Sequence, residues 1–168
     1  FFAEERGIQP TDESGWLKFT ISRNLDGPEE AHRILVESNG MRVQARSPVG
    51  AFRATRTLKT LLAKGVTTLP CLEIQDQHSF PHRGFMLDVS RCKVPTMESL
   101  FELIDLLADL KYNELQLYLE HTFAFSGHET VWQDASPLTA EEIKLLDARC
   151  RERFIDLVPN LNSFGHFE

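Results

Sequence analysis

The chain has 168 residues, 25 of them Asp or Glu against 18 Lys or Arg, and a formal net charge of −7. That length holds one ordinary domain, or a small domain joined to part of a larger one. The acidic balance excludes nucleic acid as a main partner, because scattered Lys and Arg offer no basic patch for phosphates, and no apolar stretch approaches the length that spans a bilayer, so no membrane partner is expected.

In chain order, Trp16-Leu17-Lys18-Phe19-Thr20-Ile21 predicts a strand, and residues 31–37, with Ile34, Leu35 and Val36 at their centre, predict a second. Asn39-Gly40 follows, and Met41-Arg42-Val43-Gln44-Ala45-Arg46 alternates apolar with polar. Asn-Gly between two such runs predicts a hairpin through a type I′ turn, whose two central residues both need positive φ. Pro48 and Gly50 break the pattern. Ala51, Ala54, Thr55, Leu58, Leu61 and Leu62 then fall at helical spacing, with Gly65 as the stop. Leu72 and Ile74 make a short strand before Asp76. These elements describe a small α+β layer with no catalytic constellation, its charged residues read as solvated faces. Cys71, Cys92 and Cys150 are too few and too far apart for a disulfide framework or a metal pattern, and read as buried free thiols. The opening Phe1-Phe2-Ala3-Glu4-Glu5-Arg6 lacks the apolar centre of a signal peptide.

From about Pro81 the rhythm changes. Phe85-Met86-Leu87 is an apolar run with no polar face, which reads as a buried parallel strand. It ends in Asp88, and Arg83 and Arg91 bracket it. Pro95-Thr96 introduces a helix striped by Leu100, Leu103, Ile104, Leu107 and Leu110 and closed by Lys111-Tyr112-Asn113. Leu115-Gln116-Leu117-Tyr118-Leu119 is the next strand, followed by a long loop to Pro137. Thr139-Ala140-Glu141-Glu142 is a capping box opening a second helix lined by Ile143, Leu146, Cys150 and Phe154. Ile155-Asp156-Leu157-Val158 is a third strand, stopped by Pro159. Strand–helix–strand–helix–strand predicts parallel βαβ units. Polar residues gather after each strand: Asp88 and Arg91, then Glu120 and His121, then Asn160, Asn162 and His166. Both a βα barrel and a doubly wound sheet collect ligands at those ends. The absence of a glycine-rich loop after the first strand argues against a nucleotide. Three βα units cannot close a barrel and leave an open apolar edge, so the chain is expected to be a fragment, continued beyond Glu168.

These residues resemble glycoside hydrolase family 20, the β-N-acetylhexosaminidases. Residues 50–58 resemble the helix of that family's small α+β domain, and Phe80-Pro81-His82-Arg83-Gly84-Phe85-Met86-Leu87-Asp88-Val89-Ser90-Arg91 resembles its first barrel strand. Residues 111–119, 138–143 and 158–166 resemble the second strand, the second helix and the third strand with its turn. The resemblance implies an α/β chain: a small α+β domain over residues 1–80, then the first three βα units of a TIM (β/α)8 barrel over 81–168. It implies removal of a terminal N-acetylhexosamine with retention, the substrate's own 2-acetamido group acting as nucleophile, an exception to the two-carboxylate scheme. An Asp-Glu pair after the fourth strand does the protein's share, so no catalytic residue is expected within this chain, and the fragment alone should be inactive. Arg83 is implied to hold sugar hydroxyls, Asp88 to lie beneath the pocket beside Arg91, and His166 to support the site. Glu120, His121 and Asn162 complete the candidate pocket.

No metal or other cofactor is expected; the partners are a carbohydrate ending in a 2-acetamido sugar and the remainder of the chain's own barrel. Residues 118–123 and 160–166 depart from the family's usual runs, which marks a divergent branch. Two other readings stand beside this one: a sugar-binding relative without catalysis, and a barrel glycosidase that uses Asp88 or Glu120 directly. Phe123, Phe125 and Trp132 in the long loop are candidates either for stacking on a sugar or for loop packing.

Overall fold

The computed structural model describes residues 16–62, 66, 68–91 and 93–161. It divides into two compact units, Phe1–Pro81 and His82–Glu168. Gly65, Cys92, Asn162 and His166 lie outside the described residues.

The first unit is a four-stranded sheet in the order β1-β3-β2-β4, formed by β1 (Leu17–Ile21), β2 (His32–Glu37), β3 (Gly40–Ala45) and β4 (Leu72–Asp76), with the helix α1 (Pro48–Leu61). β1 runs parallel to β3, and β2 is antiparallel to both β3 and β4. Period-two alternation puts Ile34 opposite Val43 and Ile74. Ile34, Val36, Met41 and Val43 meet Ala54 and Leu58 of α1 in the core. Burying each large aliphatic side chain there contributes roughly 1.5–3 kcal/mol.

Several expectations are corrected in this unit. The β2–β3 hairpin forms, but Glu37 pairs with Gly40, so Ser38 and Asn39 are the turn centre. Of the four, Gly40 alone has positive φ (146°), and the turn is not type I′. Gly40 is needed because a Cβ there would meet the Trp16 carbonyl oxygen at 2.5 Å. Pro48 does not break structure but opens α1 at a position where its missing N–H costs nothing, and Ser47 Oγ accepts the Gly50 N–H at 3.2 Å. The charged residues are not all solvated: Glu30, His32, Arg53 and Arg56 are buried. Arg53 Nε donates to Glu30 Oε1 at 3.2 Å, and His32 Nδ1 donates to the Glu30 carbonyl at 3.0 Å. Burial of Glu30 and Arg53 is tolerated because the two are paired with each other. Cys71 is exposed rather than buried; Cys150, in the second unit, is buried as expected, which pushes its thiol up to about 12.

The second unit is a three-stranded parallel sheet in the order β5-β6-β7, from β5 (Gly84–Asp88), β6 (Glu114–Leu119) and β7 (Asp156–Leu161). α2 (Met97–Asp109) links β5 to β6. The short α3 (Glu129–Trp132) and α4 (Ala140–Glu152) lie between β6 and β7. The fold is α/β, as the strand–helix alternation predicts. Leu115, Leu117 and Leu119 form the buried face of β6, and Glu114, Gln116 and Tyr118 form its other face. Leu100, Ile104 and Leu107 of α2 are buried, as are Leu146 and Cys150 of α4. Asp105 joins the two helices by accepting from Arg149 Nη2 at 2.5 Å and Arg153 Nε at 2.9 Å.

Three expectations are corrected here. Phe85 and Met86 are exposed, because β5 has a strand on one side only among the described residues. Pro159 lies inside β7 opposite Leu117; an edge strand accepts Pro where its nitrogen faces away from the neighbour. Phe154 falls beyond the end of α4 at φ 53° and is exposed, so Ile155 takes the core position instead.

Candidate functional site at the strand ends

The site forms where β5 and β6 end. Register places Asp88 beside Tyr118 and Tyr118 beside Asn160, so these three share one face of the sheet at its C-terminal edge. After Asp88 the chain turns sharply. Asp88 Oδ1 accepts the N–H groups of Ser90 (2.9 Å) and Arg91 (3.1 Å), an Asx-type turn that brings Arg91 back over the strand end. Arg91 Nη1 then donates to Asp88 Oδ2 at 2.5 Å. Its Nη2 donates to Glu120 Oε1 at 3.1 Å and to Tyr118 Oη at 3.2 Å. Tyr118 Oη donates to Glu120 Oε1 at 2.7 Å, and the guanidinium lies 4.9 Å from the centre of the Tyr118 ring. One planar cation is thus held between two carboxylates and a phenol.

Electrostatics follow from these bonds. The Ser90 N–H, and then Arg91, hold the Asp88 carboxyl below the usual carboxylate range. Asp88 and Tyr118 in turn push the Arg91 pKa further up. Asp88 is therefore an anion at neutral pH and a poor proton donor. The cluster remains open to solvent, with 55% of the Arg91 side chain exposed. A rigid cationic fork between carboxylates suits ligands that both donate and accept hydrogen bonds, as vicinal hydroxyls do.

Beneath the rim, Ser90 and Thr122 are buried. Ser90 Oγ accepts the Glu120 N–H at 2.7 Å and lies 3.1 Å from Thr122 Oγ1.

Of the residues singled out from sequence, Asp88, Arg91 and Glu120 are brought together. Arg83 is not. It precedes β5, about 16 Å from Asp88 at the ordinary strand rise, and its Nε donates to the Lys111 carbonyl at 2.7 Å. Rim positions follow strands, and Arg83 stands before one. His121 is exposed and takes no part in the network. Asn160 is placed on the same face, with Nδ2 donating to Gln116 Oε1 at 3.1 Å. Phe123 and Phe125 pack edge to face, and Trp132 Nε1 donates to the Phe125 carbonyl at 2.8 Å, which is loop packing. The network also contains Tyr118, which the sequence shows only as a strand residue on the face opposite Leu117, and it rests on Ser90 and Thr122, which no sequence pattern marks. Tyr118 was detectable, since Glu114, Gln116 and Tyr118 alternate with three leucines; short hydroxyl residues in loops carry no such signal. Among the described residues, no group of three or more His, Cys, Asp or Glu is arranged to hold a metal ion, and no helix is long and apolar enough to cross a membrane.

Comparison with known proteins matches residues 2–77 to the model for glycosyl hydrolase family 20, domain 2, and residues 80–168 to that for the glycosyl hydrolase family 20 catalytic domain. A beta-N-acetylhexosaminidase of Cellulomonas fimi is 34% identical over 61% of this chain and 21% of its own length. Beta-hexosaminidase subunit A1 of Dictyostelium discoideum is 25% identical over 99% of this chain and 34% of its own. The chain therefore spans about a fifth and about a third of the length of these two relatives. The crystal structure of a beta-N-acetylhexosaminidase from Bacteroides fragilis superposes with a TM-score of 0.83 at 22% identity, covering 98% of this chain and 38% of that one, which is a likeness of fold.

Proposed function

The chain belongs to glycosyl hydrolase family 20, and on that premise we propose that it is part of a hydrolase that releases terminal N-acetylhexosamine, GlcNAc or GalNAc, from a glycan. The observation that carries the reading is the Asp88–Arg91–Tyr118–Glu120 cluster at the C-terminal ends of adjacent parallel strands. Barrels of βα units collect their ligands on that rim. The sheet β5-β6-β7 is read as the first three units of such a barrel. Its exposed Phe85 and Met86 are apolar surface that the remaining strands would cover.

The rim's task is to bind and orient. Asp88 and Glu120 hold the Arg91 guanidinium flat, so that its N–H groups and the carboxylate oxygens face sugar hydroxyls without first losing side-chain freedom. Arg91, rather than Arg83, is assigned that grip, because Arg83 lies at the opposite end of β5. Asn162 and His166 follow β7 in the chain and are proposed for the same rim. Chemistry proceeds by attack of the substrate's 2-acetamido oxygen on its own anomeric carbon. The aglycone oxygen leaves with a proton from a Glu, and an Asp steadies the oxazolinium. Water activated by the same Glu then opens that ring with overall retention. The Asp-Glu pair is assigned to the sequence beyond Glu168. Direct attack by Asp88 fits poorly, since both its oxygens already accept hydrogen bonds from the turn and Arg91.

The test is hydrolysis by the whole protein of paired aryl glycosides that differ only in carrying a 2-acetamido or a 2-hydroxy group. Cleavage confined to the 2-acetamido partner is expected, with none from the 168-residue chain alone. Equal cleavage of both would overturn neighbouring-group participation, and binding without cleavage would establish a non-catalytic relative.

A further inference from the structure

The rim is joined underneath by a buried pair of hydroxyls. Ser90 Oγ accepts the Glu120 N–H at 2.7 Å, lies 3.1 Å from Thr122 Oγ1 and 3.4 Å from the Tyr118 carbonyl oxygen. Its own N–H goes to Asp88 Oδ1. One residue therefore bonds to the turn that carries Arg91 and to the strand end that carries Tyr118 and Glu120. Thr122 extends the link. Its carbonyl accepts the Leu138 N–H at 2.9 Å, and Ala124 N–H donates to the Leu138 carbonyl at 3.0 Å. That closes the loop 120–138 just before Thr139 caps α4. Thr122 is 1% exposed and Ser90 is 7% exposed, so water does not replace a lost partner readily.

From this geometry we infer that Ser90, acting through Thr122, is a positioning residue: it sets the separation of Arg91 from Glu120 and so tunes the grip on sugar hydroxyls. The inference rests on the rim being the sugar site. Ser90 touches no substrate. Arg91 is the next residue after it, and the amide it bonds belongs to Glu120, so both gripping side chains start from backbone that the hydroxyl pair holds. A long guanidinium side chain loses rotamer freedom when it is ordered. A rim already ordered from beneath avoids losing it on binding.

The variants are Ser90→Ala, Thr122→Val, Thr122→Ser and the double Ser90→Ala/Thr122→Val, made in the whole protein. On the 2-acetamido aryl glycoside, Ser90→Ala and Thr122→Val are each expected to raise KM by about tenfold while kcat stays within about threefold. Thr122→Ser, which keeps the hydroxyl, recovers most of that loss. The double variant is little worse than Ser90→Ala alone, since Thr122 reaches the rim through Ser90 Oγ. A purely structural role would lower the amount of folded enzyme, hence kcat, and leave KM alone. Hydrogen–deuterium exchange of peptides spanning 88–91 and 118–122 reads the link without any turnover. It should quicken in Ser90→Ala and Thr122→Val but not in Thr122→Ser. Unchanged exchange, or additive effects with unchanged KM, overturns the positioning role even if hydrolysis is observed. A wild-type protein that cleaves nothing overturns the proposed function, and the exchange result still decides the hydroxyl pair.

Discussion

Asp88 does its work as an anion. Its first oxygen closes the turn after β5, and its second fixes Arg91. Because the folded state favours the charged carboxyl, its pKa lies below the ordinary aspartate value of about 3.9. The resulting stabilisation is complete above that ordinary value and is lost as pH falls through the lower folded one. NMR titration of the Asp88 carboxyl should therefore give a midpoint below that of an unfolded aspartate; a midpoint at or above it would contradict the bonding described. At this scale Asp88, Arg91 and Glu120 were legible, since each follows an apolar strand. Arg83 misled because closeness in sequence to Asp88 hides the length of the strand between them. The burial of Glu30 and Arg53 was not legible either, because their pairing spans residues far apart in the chain and no local pattern encodes it.

Elements marked by a local rule were readable in detail. The capping box of α4 is complete: Thr139 Oγ1 accepts the Glu142 N–H at 3.2 Å, and Glu142 Oε2 accepts the Thr139 N–H at 2.8 Å. Thr139→Ala is expected to cost about 1 kcal/mol in urea unfolding, with no change in fold. A loss near zero would mean that α4 is held by its packing alone. Elements whose setting depends on neighbours were read less well. Pro159 reads as a stop in isolation, and only the edge position of β7 makes room for it. Asn39-Gly40 places the turn one residue late, because Gly40 is required by the approach of Trp16, the residue just before β1, and not by the turn itself. The run Phe85-Met86-Leu87 reads as buried from its composition, whereas exposure is set by how many strands flank it.

Over the whole molecule, α/β character and family membership were both accessible from sequence, the first through alternating periodicity and the second through the run from Phe80 to Arg91. The convergence of a site was accessible in part. Two strand ends meet in one network, Asp88 and Arg91 with Tyr118 and Glu120, and Asn160 on the third strand shares their face. Beyond the strand ends, a rim is an assembly of turns, and turn geometry depends on hydroxyls such as Ser90 and Thr122 whose partners lie about thirty residues away.

On the proposed reading, this rim grips a terminal 2-acetamido sugar through Arg91. Calorimetric titration of the whole protein with free N-acetylhexosamine tests it most directly, comparing wild type with Arg91→Ala and Arg83→Ala. Loss of charge-assisted hydrogen bonds should weaken Arg91→Ala by about 10- to 100-fold, while Arg83→Ala binds as wild type does. Full affinity in Arg91→Ala, or a loss confined to Arg83→Ala, would contradict the claim.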